Sequence, residues 1–516
     1  MGNKTIAEDK IARIINNQSL PYLHYDVWES FISVKDELTI LGRALIRKEV
    51  PRYYPEVFQT GNVKEMWRII LKKKFNFEEE ELCSAYIYNI EESKISFSDF
   101  IQATKQLAEN ISDYEFKIVC EKVEKYYEIR EICRDIYDNV HIDSNIESKD
   151  EKFFLKRCGY LENSLRLETL SIHQIKKLLT PNSIVDTTDV VYSATSLTKG
   201  LVSLFNTEIK DTNKGVELAF PLITRATNGL RKGQLIATGM FSNNGKTRLM
   251  IRVVANLVLK QNKKVLIISN EMTEEDIMYC FITTVINNPE FKDMFATTDI
   301  TENERDIRNT NYQDSEEEDK VKDIVKTLEK RFANHILIIH TDSYSDEVLT
   351  EIILKHYLED NIDYFFYDTL KSDKNNMANW DGLKITTTVL SELAKTYDIC
   401  VWGNIQLNDT SKKSLDINSN DIASSKQIYQ LLDTLFLFSP IDKKDYTEYR
   451  YWEGIQIPRK EIVKELEPNK TYYICRINKN RLGAKPNLLF EVNLNKNTWE
   501  EVGQVAYYND IKRFLI

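Results

Sequence analysis

Downstream of about residue 216, short apolar runs alternate with segments whose apolar residues recur at helical spacing. The runs fall at 235–238, 265–269, 336–339, 364–367, 400–404, 435–438, 472–477 and 488–494. Uninterrupted apolar runs are strands buried on both faces. Separated by helices, they predict a largely parallel sheet covered on both sides. The last runs follow one another without an intervening helix, which predicts an antiparallel extension at that end. Residues 1–165 show a different pattern, with few glycines and apolar positions at helical spacing. Phe116, Val119, Val123, Tyr126 and Ile129 in the stretch 100–137 are one example. This part reads as a helical assembly or interaction domain without chemistry of its own. Between the two, 166–215 reads as a linker holding one short helix at 172–179. Two segments stand apart: 301–319, polar and acidic, reads as a mobile surface loop, and 440–470 is charged and aromatic.

Composition narrows the class. The chain has 516 residues, 42% hydrophobic and 29% charged, enough for more than one packed domain. No run approaches the ~20 apolar residues that cross a bilayer, and the first residues lack the apolar core of a signal peptide. A cytoplasmic protein with no membrane partner is expected. The seven cysteines and six histidines are scattered, with no Cys-x-x-Cys pair, so neither a zinc site nor a disulfide framework is expected. A net charge of −11 does not advertise a nucleic-acid binder. It does not exclude a ring that is acidic outside and basic within.

The chemistry concentrates where the first run meets its helix. Leu235 to Met240 leads through Phe241-Ser242-Asn243-Asn244 into Gly245-Lys246-Thr247-Arg248, and Leu249, Val253 and Leu257 then form a helical stripe. This is the anatomy of a phosphate-binding loop: backbone amides at a helix N-terminus make an anion site, Lys246 reaches the β- and γ-phosphates, and the Thr247 hydroxyl holds Mg²⁺. ATP and Mg²⁺ are the expected cofactors, with Ser242 to Arg248 as the nucleotide-binding residues. Met240 stands where such loops usually have their first glycine, and Gly239 lies one place earlier.

In a parallel sheet ligands gather at the C-terminal strand ends. After the second run comes Glu271, either a base for the attacking water or a helix N-terminal charge. After 364–367 comes Asp368, either the second Mg²⁺ group or a turn cap. After 400–405 comes Gln406, placed to sense the γ-phosphate. Lys479 and Arg481 lie two apart at a strand end beside Gly483. They are either a pair that reaches a neighbouring subunit's phosphates or a solvated basic hairpin.

Taken in order, these motifs resemble the DnaB-type replicative helicases, whose motor is a RecA-like P-loop ATPase domain. The resemblance covers about 280 residues. It runs from Phe220-Pro-Leu-Ile-Thr-Arg through Gly245-Lys246-Thr247, Ile268-Ser-Asn-Glu271-Met272, Asp368, Gln406-Leu-Asn and Ile428-Tyr-Gln430-Leu-Leu-Asp433 to Lys479-Asn-Arg481-Leu-Gly483. It implies an α/β motor over 216–516 that works as a homo-oligomer, commonly a hexameric ring, with ATP at subunit interfaces. Single-stranded DNA would pass through the centre, and a primase or loader protein is a candidate partner. It further implies Glu271 as catalytic base, Lys479 and Arg481 acting in trans, and DNA loops at 371–384 and 408–421, which carry Lys371, Lys374, Lys412 and Lys413. The implied function is ATP-driven translocation on single-stranded DNA with duplex unwinding during replication. The chain departs from the family at Met240, at Ser424-Ser-Lys-Gln427 and throughout the first 165 residues. Two rivals remain: an ATPase of the same fold that remodels or signals through protein partners, for example in anti-phage defence, and an ATP-gated assembly module without catalysis. The second has no use for Glu271.

Overall fold

The computed structural model describes residues 31–47, 50–86, 96–140, 148–181, 215–292, 294–295, 300–341, 345–370, 382–408, 412–422, 425–453, 463–481 and 483–512. Contacts divide the chain into two units, Met1–Tyr192 and Ser193–Ile516.

Among its described residues the first unit is helical. Its helices are Val34–Arg47, Gly61–Lys72, Phe97–Glu109, Asp113–Val140, Lys149–Glu162 and Ile172–Leu179. The stripe Phe116 to Ile129 lies on the 28-residue helix Asp113–Val140. A core of Leu38, Leu41, Phe58, Trp67 and Phe100 holds the first helices together. Gly42 is required there, because a Cβ would lie 2.1 Å from the Thr104 carbonyl oxygen of the facing helix. Two buried charges tie loops to this core. Glu37 accepts from the backbone N–H of Gln59 and of Thr60. Arg130 donates to the carbonyls of Phe31 and Val57. The helix Ile172–Leu179 buries Ile175, Leu178 and Leu179, and Lys125 of the long helix donates to the Leu170 carbonyl before it.

The second unit is an α/β domain around one ten-stranded sheet. The strands are β1 Leu235–Met240, β2 Val265–Ser269, β3 Ile336–His340, β4 Tyr364–Asp368, β5 Cys400–Gln406, β6 Thr434–Pro440, β7 Tyr449–Trp452, β8 Tyr472–Asn480, β9 Asn487–Asn493 and β10 Thr498–Tyr507. They lie in the order β3-β2-β4-β5-β1-β6-β8-β9-β10-β7. β1 to β6 run parallel, and β8, β9, β10 and β7 continue antiparallel, as the loss of helices between the last runs predicts. β7 and β10 have no counterpart among the predicted runs. Arg450 interrupts β7, and Glu500, Glu501 and Gln504 interrupt β10, so neither reads as a continuous apolar stretch. Phe366, Trp402 and Phe436 stack across the parallel half at centroid distances of 5.9 and 5.6 Å.

The acidic stretch 301–319 is not a mobile loop. It contains the helix Glu304–Arg308 and starts the helix Ser315–Phe332. Asp314 caps the latter, accepting from Glu317 N, and Glu316, Glu317 and Glu318 sit in its first turn. Carboxylates stabilise a helix N-terminus through the macrodipole, so this acidity marks a helix start rather than a solvated loop. No described helix is long and apolar enough to cross a membrane, and all seven cysteines are free thiols.

Candidate nucleotide site

Six consecutive buried residues, Leu235 to Met240, form β1. Met240 is its last residue, fully buried and paired with Gln406 of β5, so the loop proper begins at Phe241. The chain then bends twice in left-handed conformation, at Asn243 (φ 60°) and at Gly245 (φ 89°), and enters the helix Lys246–Ala255. Asparagine tolerates that region and glycine takes it without strain. The departure at Met240 therefore leaves the turn chemistry in place. Gly245 is also tightly covered, since a Cβ there would meet Leu494 at 2.7 Å and Trp499 at 3.3 Å. The tip of the β9–β10 hairpin thus braces the loop. Asn497 at that tip is fully buried, donating to the Arg248 carbonyl at 3.0 Å and to Thr284 Oγ1 at 2.6 Å.

Parallel register brings the C-terminal ends of four strands to one edge. Ser269 pairs with Asp368, and Met240 with Gln406. The Thr247 hydroxyl donates to Asp368 Oδ2 at 2.6 Å, and Asn404 Nδ2 donates to Asp368 Oδ1 at 2.8 Å. Asp368 is fully buried. Burial raises its carboxyl above the ordinary range, the bonds from Thr247 and Asn404 oppose this, and the nearby Glu271 and Lys246 charges raise and lower it respectively. A carboxylate penalised by burial beside a hydroxyl is a fitting start for a Mg²⁺ site. That ion takes hard oxygen donors and draws most of its shell from water and substrate phosphates. Among the described residues there is no group of three or more His, Cys, Asp or Glu side chains placed to hold a metal.

Glu271 is exposed just past β2, its Oε2 lying 3.3 Å from Thr369 Oγ1. That hydroxyl is 3.4 Å from Asp368 Oδ1 and so bridges the two acids. Asn270 clamps the same turn, donating to the Thr369 carbonyl at 2.8 Å and accepting from Thr369 N at 3.2 Å. Lys246, Thr247, Asp368 and Glu271 are therefore gathered at one edge of the sheet. Gln406 ends β5 there with its side chain exposed. Ser242 and Asn243 are exposed and Asn244 half-buried in the loop, whereas the Arg248 guanidinium pairs with Glu304 at 2.6 Å. Asn404, Thr369 and Asn270 were missed by sequence reasoning. A polar Asn404 inside an otherwise apolar run was the available signal.

Lys479 and Arg481 lie elsewhere. β8 runs antiparallel to β6, and Asn480 pairs with Thr434, which itself pairs with Ile236 near the start of β1. The pair therefore occupies the opposite edge of the sheet, the length of β1 away, roughly 17 Å at the usual rise per residue. There both converge on the carbonyl of Gln430, Lys479 Nζ at 3.0 Å and Arg481 Nη2 at 2.9 Å. Lys479 also sits 4.9 Å from the Tyr429 ring centroid. Burial, followed by the Arg481 charge, pushes the Lys479 ammonium down to about 8.

Of the two expected DNA loops, 371–381 and 409–411 lie outside the described residues, Lys371 and Lys374 with them, as does Ser424. Lys412 and Lys413 are described, and each pairs with a carboxylate of its own chain, Asp421 and Glu448. Arg476 pins the second loop by donating to the carbonyls of Leu415 and Ile417.

One family model and several solved structures resemble this chain. A family model described as the DnaB-like helicase C terminal domain matches residues 215–498. The chain is also similar to a solved structure described as a DnaB-like replicative helicase and its interactions with primase. The identity is 16% and the TM-score 0.46, over 90% of this chain and 98% of that one. A solved ATPase domain is similar at 16% identity and TM-score 0.47, over 60% of this chain and 100% of that one. A comparison with curated proteins gives no match. The family match spans more than half of the chain and contains every site residue described above: this protein belongs to the DnaB-like helicases through its C-terminal domain.

Proposed function

We propose that this protein is an ATP-driven ring helicase. Six copies place nucleotide between neighbours, and hydrolysis moves single-stranded DNA through the centre and unwinds duplex during replication. The observation that carries this reading is the placement of Lys479 and Arg481 on the sheet edge opposite Lys246. No side chain reaches across ~17 Å of sheet, so these cations can complete a phosphate site only on another copy. Within one site, Lys246 and the loop amides hold the phosphates, and Thr247 and Asp368 form the protein's share of the Mg²⁺ shell. Mg²⁺ supplies charge neutralisation of the phosphate oxygens when bound. Glu271, steadied by Thr369, accepts the proton of the attacking water. Gln406 stands beside the loop to register loss of the γ-phosphate. Arg481 and Lys479 of the adjoining copy offset the charge that develops in the transition state.

Steady-state ATP hydrolysis at low salt, with and without single-stranded DNA, tests the reading. Several-fold stimulation by DNA is expected, falling with added salt because phosphate contacts release counterions. It should vanish in Lys246→Ala. Unwinding of a forked duplex should follow the same pattern. Hydrolysis indifferent to DNA would instead assign the motor to protein substrates.

The Lys479 environment adds a pH test. Its ammonium loses its proton as pH rises through about 8, so its contribution is present below that value and lost above it. An alkaline fall in kcat/KM for ATP centred near 8 is expected. Lys479→Arg, which stays charged, should shift that fall upward. A profile identical in the variant would assign the titration to another group.

A further inference from the structure

Arg481 is not a loose side chain on a hairpin tip. Its Nη1 pairs with Asp433 Oδ1 at 2.9 Å, and its Nη2 donates to the Gln430 carbonyl at 2.9 Å. The Asp433 side chain is only 9% exposed, and its other oxygen accepts the N–H of Leu235, the first residue of β1, at 3.0 Å. The main chain repeats the link: Asp433 N donates to the Leu235 carbonyl at 2.8 Å, and Arg481 N to the Asp433 carbonyl at 3.2 Å. Below the tip, Asn480 Nδ2 bridges the carbonyls of Ala226 and Ala484 at 2.8 and 2.9 Å. Gly483 packs so closely that a Cβ would fall 2.5 Å from the Ala226 oxygen. Despite these anchors the Arg481 side chain remains 44% exposed.

An exposed ion pair contributes little when both partners must be ordered to make it. Here one partner is buried and already fixed by a strand, so it sets the direction of the guanidinium at small entropic cost. A guanidinium carries five N–H groups, so one contact at each of Nη1 and Nη2 leaves further donors for a phosphate. We propose that Asp433 is the positioning residue of Arg481, aiming its guanidinium outward for a neighbouring copy's nucleotide from a seat on the first residue of β1. This rests on the reading of Arg481 as the group that acts in trans. It gives Asp433 a role in turnover although its own side chain touches no phosphate.

Asp433→Asn tests it, because asparagine keeps an acceptor for Leu235 N–H and loses the charge that orients Arg481. The expected result is a roughly ten- to hundredfold fall in kcat, the scale of cost for a misplaced catalytic group, with KM for ATP unchanged. In an Arg481→Ala background the same substitution should cost nothing further. An equal loss in that background would make Asp433 merely structural. A rise in kcat would mean that Asp433 withholds the arginine, and an unchanged kcat would remove any role; each overturns the proposal. Should the asparagine variant fail to fold, Asp433→Glu, which shifts the carboxylate by one methylene, must show the same dependence on Arg481. Wild-type turnover in Arg481→Ala alone would sink the trans reading itself. Impairment there with none in Asp433→Asn would sink only the positioning role.

Discussion

Arg481→Ala will lower ATP turnover by roughly 10³-fold or more, the range associated with removing a transition-state arginine from phosphoryl transfer, while ATP binding and oligomer mass stay unchanged. The proposed effect is intermolecular, since Arg481 and Lys246 lie at opposite ends of the parallel strands of one chain. Arg481→Lys should fail nearly as badly. It can keep an ion pair with Asp433 but cannot present a bidentate fork, so its loss would not be one of folding. Co-expressing Arg481→Ala with Lys246→Ala supplies the decisive comparison. In mixed rings some interfaces join an intact phosphate loop to an intact arginine, and part of the activity should return. An arginine acting on its own chain's site would leave the mixture as inactive as either variant.

The second large effect is expected from Glu271→Gln, which should cut hydrolysis by roughly 10²–10⁴-fold, the usual contribution of a general base, with nucleotide binding intact. Glutamine matches glutamate in size and can still meet the Thr369 hydroxyl, so the turn after β2 should survive. What disappears is the basicity. Single-turnover hydrolysis measured beside binding of a fluorescent nucleotide separates the two. Unchanged turnover would remove Glu271 as the base and leave it as the N-terminal charge of the helix Glu274–Asn287, its bland alternative. Its position favours the first role, since the Thr369 hydroxyl bridges it to Asp368.

The two largest effects depend on different kinds of information. Glu271 and Asp368 could be located from the chain alone, because a parallel sheet delivers its ligands to strand ends and apolar runs mark those ends. Lys246 and Thr247 are legible from a different signal, the strand, small-residue turn and Gly-Lys-Thr that open a helix. Neither signal finds Asn404, whose amide steadies Asp368, or Thr369, which follows it. Nor does either find Asn497, brought to the phosphate-loop helix by a hairpin some 250 residues later in the chain. Such contacts have no local pattern. They depend on which strands become neighbours, and a polar residue satisfied by a distant partner looks like any other polar residue. The acidic stretch 301–319 failed for a related reason: charge content alone does not distinguish a solvated loop from the first turn of a helix.

The alternation of apolar strands and helices, the Gly-Lys-Thr loop and the two acids that follow it are all written in residues close together in the chain, and so are legible without the fold. Tertiary structure decided the sheet order, and with it that β8 delivers Lys479 and Arg481 to the edge opposite the loop. It also decided that Arg481 rests on Asp433, and Asp433 on the start of β1. Strand neighbours are chosen by burial and backbone pairing across the whole domain, a global optimum that no local spacing encodes.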